Sequence, residues 1–259
     1  MSTPRVLVLR AAGINCNEET AFAFEKAGCR AEQVHLNRVL ENPAVLDAYG
    51  GMVIPGGFSY GDDVAAGKIL AIELSLALGD ALRRFVHRGG LVLGICNGFQ
   101  VLVKTGLLPG RVQGREVRAT VAWNASRRYE DRWVRLKADG RRCAFVERDG
   151  TILELPVAHG EGRFLTTTEE DARLLQEDAR VAFSYVDDRD APTVAYPANP
   201  AGSPLGVAAV CDETGRVMGM MPHPERFLFP YQHPRWTRGP ERAEGDGASI
   251  FRAAARAMR

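Results

Sequence analysis

The sequence predicts an α/β fold: a mostly parallel sheet flanked by helices, with an antiparallel edge, as one domain over residues 1–259. Three observations carry this. Short apolar runs alternate with helical patterns through the first hundred residues, as βαβ units require. Two of these runs end in glycine-containing turns, Pro55-Gly56-Gly57 and Gly94-Ile95-Cys96-Asn97-Gly98. After Pro109 the pattern changes to shorter strands with polar turns.

In chain order, Val6 to Leu9 reads as the first strand. Asn15, with Glu18 three residues on, reads as a helix start and Gly28 as its stop. A second strand covers Ala31 to Leu36 and a third Gly51 to Ile54. A long helix follows over 65–87, in which Leu78, Ala81, Leu82 and Phe85 share one face. Leu91 to Ile95 is a strand, and a helix follows at once over 97–105. Residues 115–160 read as edge strands (Val117 to Trp123, Trp133 to Lys137, Thr151 to Val157). Two more strands lie in 204–221, and a final helix runs from Gly247 to Met258. The stretch Phe229 to Asp246, rich in Pro, Arg and Gly, reads as a surface loop insertion.

A chain of 259 residues buries a full core. Its net charge of +1 offers no argument for nucleic acid or a membrane surface as a partner. No apolar run reaches the roughly 20 residues of a membrane span. The start, Met1-Ser2-Thr3-Pro4-Arg5, lacks a signal-peptide pattern. The expected location is therefore cytoplasmic. Five scattered cysteines, without a Cys-x-x-Cys pair, argue against a disulfide framework or a zinc ribbon. No metal site is expected.

Cys96 is the expected nucleophile. It stands where a buried strand becomes a helix, with Gly94 and Gly98 two places either side. Small flanking residues permit a sharp turn that projects the thiol. The helix N-terminus favours a thiolate and offers N–H groups to an oxyanion. The plain alternative is a small buried cysteine packed after a strand. His223 and Glu225 supply the acid–base pair. In extended chain they point to the same side, and Pro224 disfavours the helical conformation at His223. Glu225 then fixes the imidazole tautomer and leaves the other nitrogen for Cys96. The plain alternative is a proline-rich surface turn. The backbone of Gly57 and of Asn97 is the expected oxyanion hole.

These residues resemble the Cys–His–Glu triad of class I glutamine amidotransferases, which have a flavodoxin-like fold. Four segments, Gly13-Ile14-Asn15-Cys16, Pro55 to Asp62, Ala158-His159-Gly160-Glu161-Gly162-Arg163-Phe164 and Gly219 to Arg226, are similar to the glutaminase subunits of phosphoribosylformylglycinamidine synthases within that family. The resemblance runs from about residue 5 to residue 256. It implies hydrolysis of L-glutamine to glutamate and ammonia. It further implies delivery of ammonia to a separate synthetase subunit that makes formylglycinamidine ribonucleotide in purine biosynthesis, with a small accessory subunit in the complex. No cofactor is implied for this chain; ATP and magnesium are used by the synthetase. Phe58, Ser59 and Gln100 resemble positions beside the substrate, and His159 either lines the glutamine pocket or holds its loop. Asp63 to Lys68 and the loop 229–246 depart from the family pattern.

Three other readings compete: the glutaminase of another class I amidotransferase, a DJ-1-type cysteine hydrolase or chaperone, and a non-catalytic regulatory subunit. The DJ-1 type places histidine directly after the elbow cysteine, where this chain has Asn97. A regulatory subunit would have lost the cysteine or histidine. Cys16 reads as a helix-capping loop residue without a catalytic role. Cys29, Cys143 and Cys211 read as inert, His35 and His87 as without chemistry, and His233 as solvated.

Overall fold

A computed structural model describes residues 3–239 and 241–259. Met1, Ser2 and Pro240, which enter the readings of the N-terminus and of the loop 229–246, lie outside the described residues. The elements are β1 (Arg5–Arg10), α1 (Asn17–Lys26), β2 (Arg30–His35), α2 (Leu36–Glu41), β3 (Gly51–Ile54), α3 (Lys68–His87), β4 (Leu91–Ile95), α4 (Asn97–Lys104), β5 (Arg111–Val112), β6 (Arg115–Glu116), β7 (Ala119–Ala122), β8 (Glu130–Ala138), β9 (Ile152–His159), β10 (Arg163–Thr166), α5 (Glu169–Glu177), β11 (Val181–Tyr185), β12 (Val207–Cys211), β13 (Val217–Met220) and α6 (Ala248–Ala257).

Nine strands form one sheet in the order β2-β1-β3-β4-β13-β12-β11-β8-β9. The first five are parallel and the remaining pairings antiparallel. The parallel part has the flavodoxin-like order, and such sheets place their sites beyond the carboxyl ends of the strands. Burial explains the strand sequences. β3 and β4 are covered on both faces and are apolar throughout, apart from their glycines. β9, at the sheet edge, alternates half-buried and buried residues.

Most elements lie where the sequence predicts them, with boundary differences that have local causes. α1 is capped at Cys16, not Asn15, and no side chain caps it. α3 starts at Lys68, not residue 65, because Gly67 has φ +69° and closes the preceding turn. The segment 163–203, unassigned from sequence, contains β10, α5 and β11. The loop 229–246 exposes Tyr231 and Trp236. His233 within it is not solvated: its ring sits 4.5 Å from that of Trp133, edge-on. Arg242 anchors the same loop by ion pairs to Glu154 and Asp246.

The β4–α4 turn is pressed against β3. A methyl group on Gly98 would lie 1.9 Å from the Ile54 carbonyl oxygen, and one on Gly94 would lie 2.6 Å from the Gly98 carbonyl oxygen. Neither neighbour is a flexible side-chain end, so the backbone itself must move. Gly98→Ala is expected to destabilise the chain by about 3 kcal/mol, the upper end for overpacking, read from denaturant midpoints. A loss below about 1 kcal/mol would show that the turn relaxes freely.

Candidate active site

Each candidate residue is set by the end of a strand. Cys16 follows β1, Gly56 and Gly57 follow β3, Cys96 follows β4, and His223 follows β13. The parallel strands thus deliver all of them to one end of the sheet. Cys96 has φ +51° and ψ −105°, a region that a residue with a Cβ occupies only when its surroundings impose it. Its N–H donates to Met220 O at 2.7 Å, and its carbonyl accepts from Phe99 and Gln100 in the first turn of α4.

His223 and Glu225 meet, with Nδ1 and Oε1 2.6 Å apart and both side chains buried, but through a 3-10 turn over Pro224–Arg226 and not the extended chain expected from sequence. His223 N–H donates to Pro156 O, which fixes the turn against β9. The ring then lies over Gly56. A methyl group there would sit 2.8 Å from His223 Cε1 and 3.5 Å from Cys96 Cβ. The thiol and imidazole are therefore neighbours, but their hydrogen bond is not made. Cys96 Sγ donates to Ala158 O at 3.6 Å, and His223 Nε2 has no partner among the described residues. Such pairs tighten when substrate binds. Burial opposes a charged imidazole, but Glu225 and the Cys96 and Cys16 sulfurs outweigh it and push His223 well above the ordinary histidine range.

The second ring of residues holds loops together. Asn97 Nδ2 donates to Asp62 Oδ1 at 3.0 Å and to Gln100 Oε1 at 2.9 Å, and Asn97 Oδ1 accepts from Ser59 N. Gln100 Nε2 donates to Glu161 O. α4 thereby grips both the 57–62 loop and the turn after β9, with Gln100 bonded within the protein through both its amide oxygen and its amide nitrogen. Phe58 is about half exposed, while Ser59 is buried with an unpartnered hydroxyl. Among the described residues the amides of Gly57 and Asn97 donate to no carbonyl or side chain.

His159 is 2% exposed. Its Nδ1 is 2.9 Å from Asn124 Oδ1, which also accepts from Gly162 N, so Nδ1 carries the proton and donates. Asn124 Nδ2 donates back to His159 O. Sequence reasoning misses Asn124, because a lone asparagine after a strand carries no signal of this double clasp.

Cys16 lies at the N-cap of α1, as its sequence reading has it, and its thiol also reaches the site. Its Sγ, a His223 ring nitrogen and a Glu225 carboxylate oxygen all lie within 4.8 Å of one another. Arg226 Nη2 donates to that sulfur at 3.2 Å. The donor set of thiol, imidazole and carboxylate is chemically fit for a metal, yet the adjoining guanidinium opposes a cation there. The His223–Glu225 bond suits proton transfer instead.

The sequence profile of the CobB/CobQ-like glutamine amidotransferase domain matches residues 3–257. The chain is 44% identical over 251 residues to the phosphoribosylformylglycinamidine synthase subunit PurQ of Dehalococcoides mccartyi, covering 97% of this chain and 96% of that protein. It is 43% identical to the subunit of the same name from Methanococcus maripaludis strain C5, covering 90% and 87%. The chain belongs to the PurQ family.

A structure of PurLQS from Thermotoga maritima superposes on it with a TM-score of 0.74 at 27% identity, covering both chains entirely. A putative GMP synthase protein from Thermoplasma acidophilum shares the fold, with a TM-score of 0.57 at 14% identity over 100% of this chain and 95% of that one. The family is one of class I glutamine amidotransferases, in agreement with the sheet order described above.

Burial, with the charge of His223 second, pushes His159 from 6.5 down to about 3. The unfolded chain takes up a proton here below pH 6.5 and the folded chain only near 3, so stability falls as pH drops through that window. His223, raised, is charged in both states below pH 6.5 and adds no slope there, while the carboxylates do, so the comparison must be between variants. His159→Gln is expected to flatten the loss of denaturation midpoint below pH 6.5. An unchanged slope would contradict a buried neutral histidine.

Proposed function

We propose that this chain hydrolyses L-glutamine with Cys96 as nucleophile, His223 as acid–base and Glu225 as its orienting carboxylate. The ammonia passes to a synthetase subunit that makes formylglycinamidine ribonucleotide in purine biosynthesis. The observation that carries this reading is the meeting, in a member of the PurQ family, of a cysteine at positive φ with a buried histidine–glutamate pair.

The chemistry follows from the placement. Cys96 passes its thiol proton to His223 Nε2, and Sγ attacks the amide carbon of glutamine. The oxyanion forms beside the Gly57 and Asn97 amides, each such donor being worth on the order of 3 kcal/mol. His223 Nε2 gives its proton to the departing nitrogen, releasing ammonia and leaving a thioester on Cys96. Water attacks the thioester, giving its proton back to Nε2, and glutamate leaves. Glu225 stays ionised and holds Nδ1 throughout. Phe58 and Ser59 form the rim that glutamine meets. Gln100 and His159 shape the pocket by fixing its two loops.

Two thiols flank His223, and the choice of Cys96 rests on conformation. Cys96 sits on the strained turn at the start of α4. Cys16 has ordinary φ, and its sulfur both accepts from Arg226 and donates to Asn15. ATP and magnesium belong, in this reading, to the synthetase, and a small accessory subunit completes the complex. No helix among the described residues is long and apolar enough to cross a membrane, and we place the chain in the cytoplasm.

Cys96→Ala is expected to abolish glutamine-dependent synthesis by the assembled complex while ammonia-dependent synthesis persists. Glutamine hydrolysis surviving in that variant would overturn the assignment. Cys96, His223 and Glu225 are all closed off from solvent. The chain without its partner is accordingly expected to turn over glutamine slowly, and full activity alone would contradict a partner-dependent opening.

A further inference from the structure

The buried thiol of Cys16 is unexplained by the reaction just described. It is 1% exposed and stands at the start of α1, with its backbone N–H on Gly56 O. Its sulfur faces the same side of His223 as the Gly56 backbone, 3.3 Å from where a Gly56 methyl would be. Both hydrogen-bonding capacities of the thiol are used: S–H donates to Asn15 Oδ1 at 3.3 Å, and the sulfur accepts from Arg226 Nη2 at 3.2 Å.

Arg226 explains why this matters. Its side chain is exposed, and among the described residues Cys16 is its only hydrogen-bond partner. An exposed arginine otherwise samples many rotamers. Held by Cys16, its guanidinium stays within Coulombic reach of Glu225 and Cys96, the two groups that bear negative charge during catalysis. Arg226 also follows Glu225 directly in the short helical turn after His223, and its tip reaches back to Cys16 at the start of α1.

We propose that Cys16 is a positioning residue of the glutaminase reaction, whose sulfur latches Arg226 against the Cys96–His223–Glu225 array. The latch joins the loop after β1 to the turn after β13. The cation stabilises the ionised carboxylate and the sulfur anion in the transition state, while substrate contacts remain elsewhere. Its loss therefore lowers kcat and leaves KM nearly as it was. The proposal rests on Cys96 being the nucleophile.

The test is steady-state glutaminase kinetics on the assembled complex with Cys16→Ala, Cys16→Ser, Arg226→Met and the double variant Cys16→Ala with Arg226→Met. Cys16→Ala is expected to lower kcat about tenfold, the scale of one partly exposed charge contact, with KM within about twofold. Serine, whose hydroxyl also accepts from Arg226, should restore most of the rate. Arg226→Met should match Cys16→Ala, and the double variant should be no worse than either single one. An unchanged kcat in Cys16→Ala, a serine variant no better than alanine, or additive losses in the double variant would each overturn the latch. If Cys16→Ala does not fold, the serine variant combined with Arg226→Met decides by the same comparison. Cys96→Ala assayed alongside separates the two claims: hydrolysis surviving there contradicts the nucleophile, not the latch.

Discussion

Cys96 occupies a backbone conformation that it would not adopt alone, and the packing of β4 and α4 against β3 imposes it. Gly98 lies so close to the Ile54 carbonyl that no Cβ fits between them. The chain must therefore turn within one residue from strand to helix, and that residue is the cysteine. The Met220 carbonyl holds its N–H, and the amides of Phe99 and Gln100 in the first turn of α4 hold its carbonyl. The strain is distributed into a sheet buried on both faces, where the rest of the fold outweighs it. What results is a thiol at the helix N-terminus, projecting from the end of the parallel sheet.

The remaining chemistry follows from what surrounds that point. Charges buried this deeply are costly unless paired. Here histidine, glutamate and two sulfurs are packed together with arginine at the margin, so each ionised group has an opposite neighbour. The pairing raises His223 well out of its normal range despite burial. Asn97, Gln100 and Asn124 carry no charge and do different work. They fasten the β3 loop and the turn after β9, so the donors expected at Gly57 and Asn97 share one rigid frame with the nucleophile.

How much of this is legible in the sequence depends on whether the signal is local. The elbow is written in five consecutive residues, because its glycines are required by backbone contacts at either end. His223 and Glu225 are readable from the local His-Pro-Glu motif, although a 3-10 turn over Pro224–Arg226, not extended chain, brings the two side chains together. The parallel sheet is readable from unbroken apolar strands. α5 is not, because of its nine residues only Asp171, Ala172 and Leu175 are buried. Cys16 is only half readable. Its neighbours along the chain look like a helix start, and it is one, but the contact that gives it a role lies 210 positions away at Arg226. His233 likewise looks solvated because nothing in a proline-rich stretch announces that Trp133 lies beneath it.

The central claim is that one of two thiols beside His223 attacks glutamine, and that backbone strain rather than proximity alone selects it. Incubating the complex with a glutamine-analogue electrophile and mapping the modified peptide tests this directly. Covalent label on Cys96, at one equivalent per chain and blocked by glutamine, is the expected result. Label on Cys16, with Cys96 unmodified, would contradict the account.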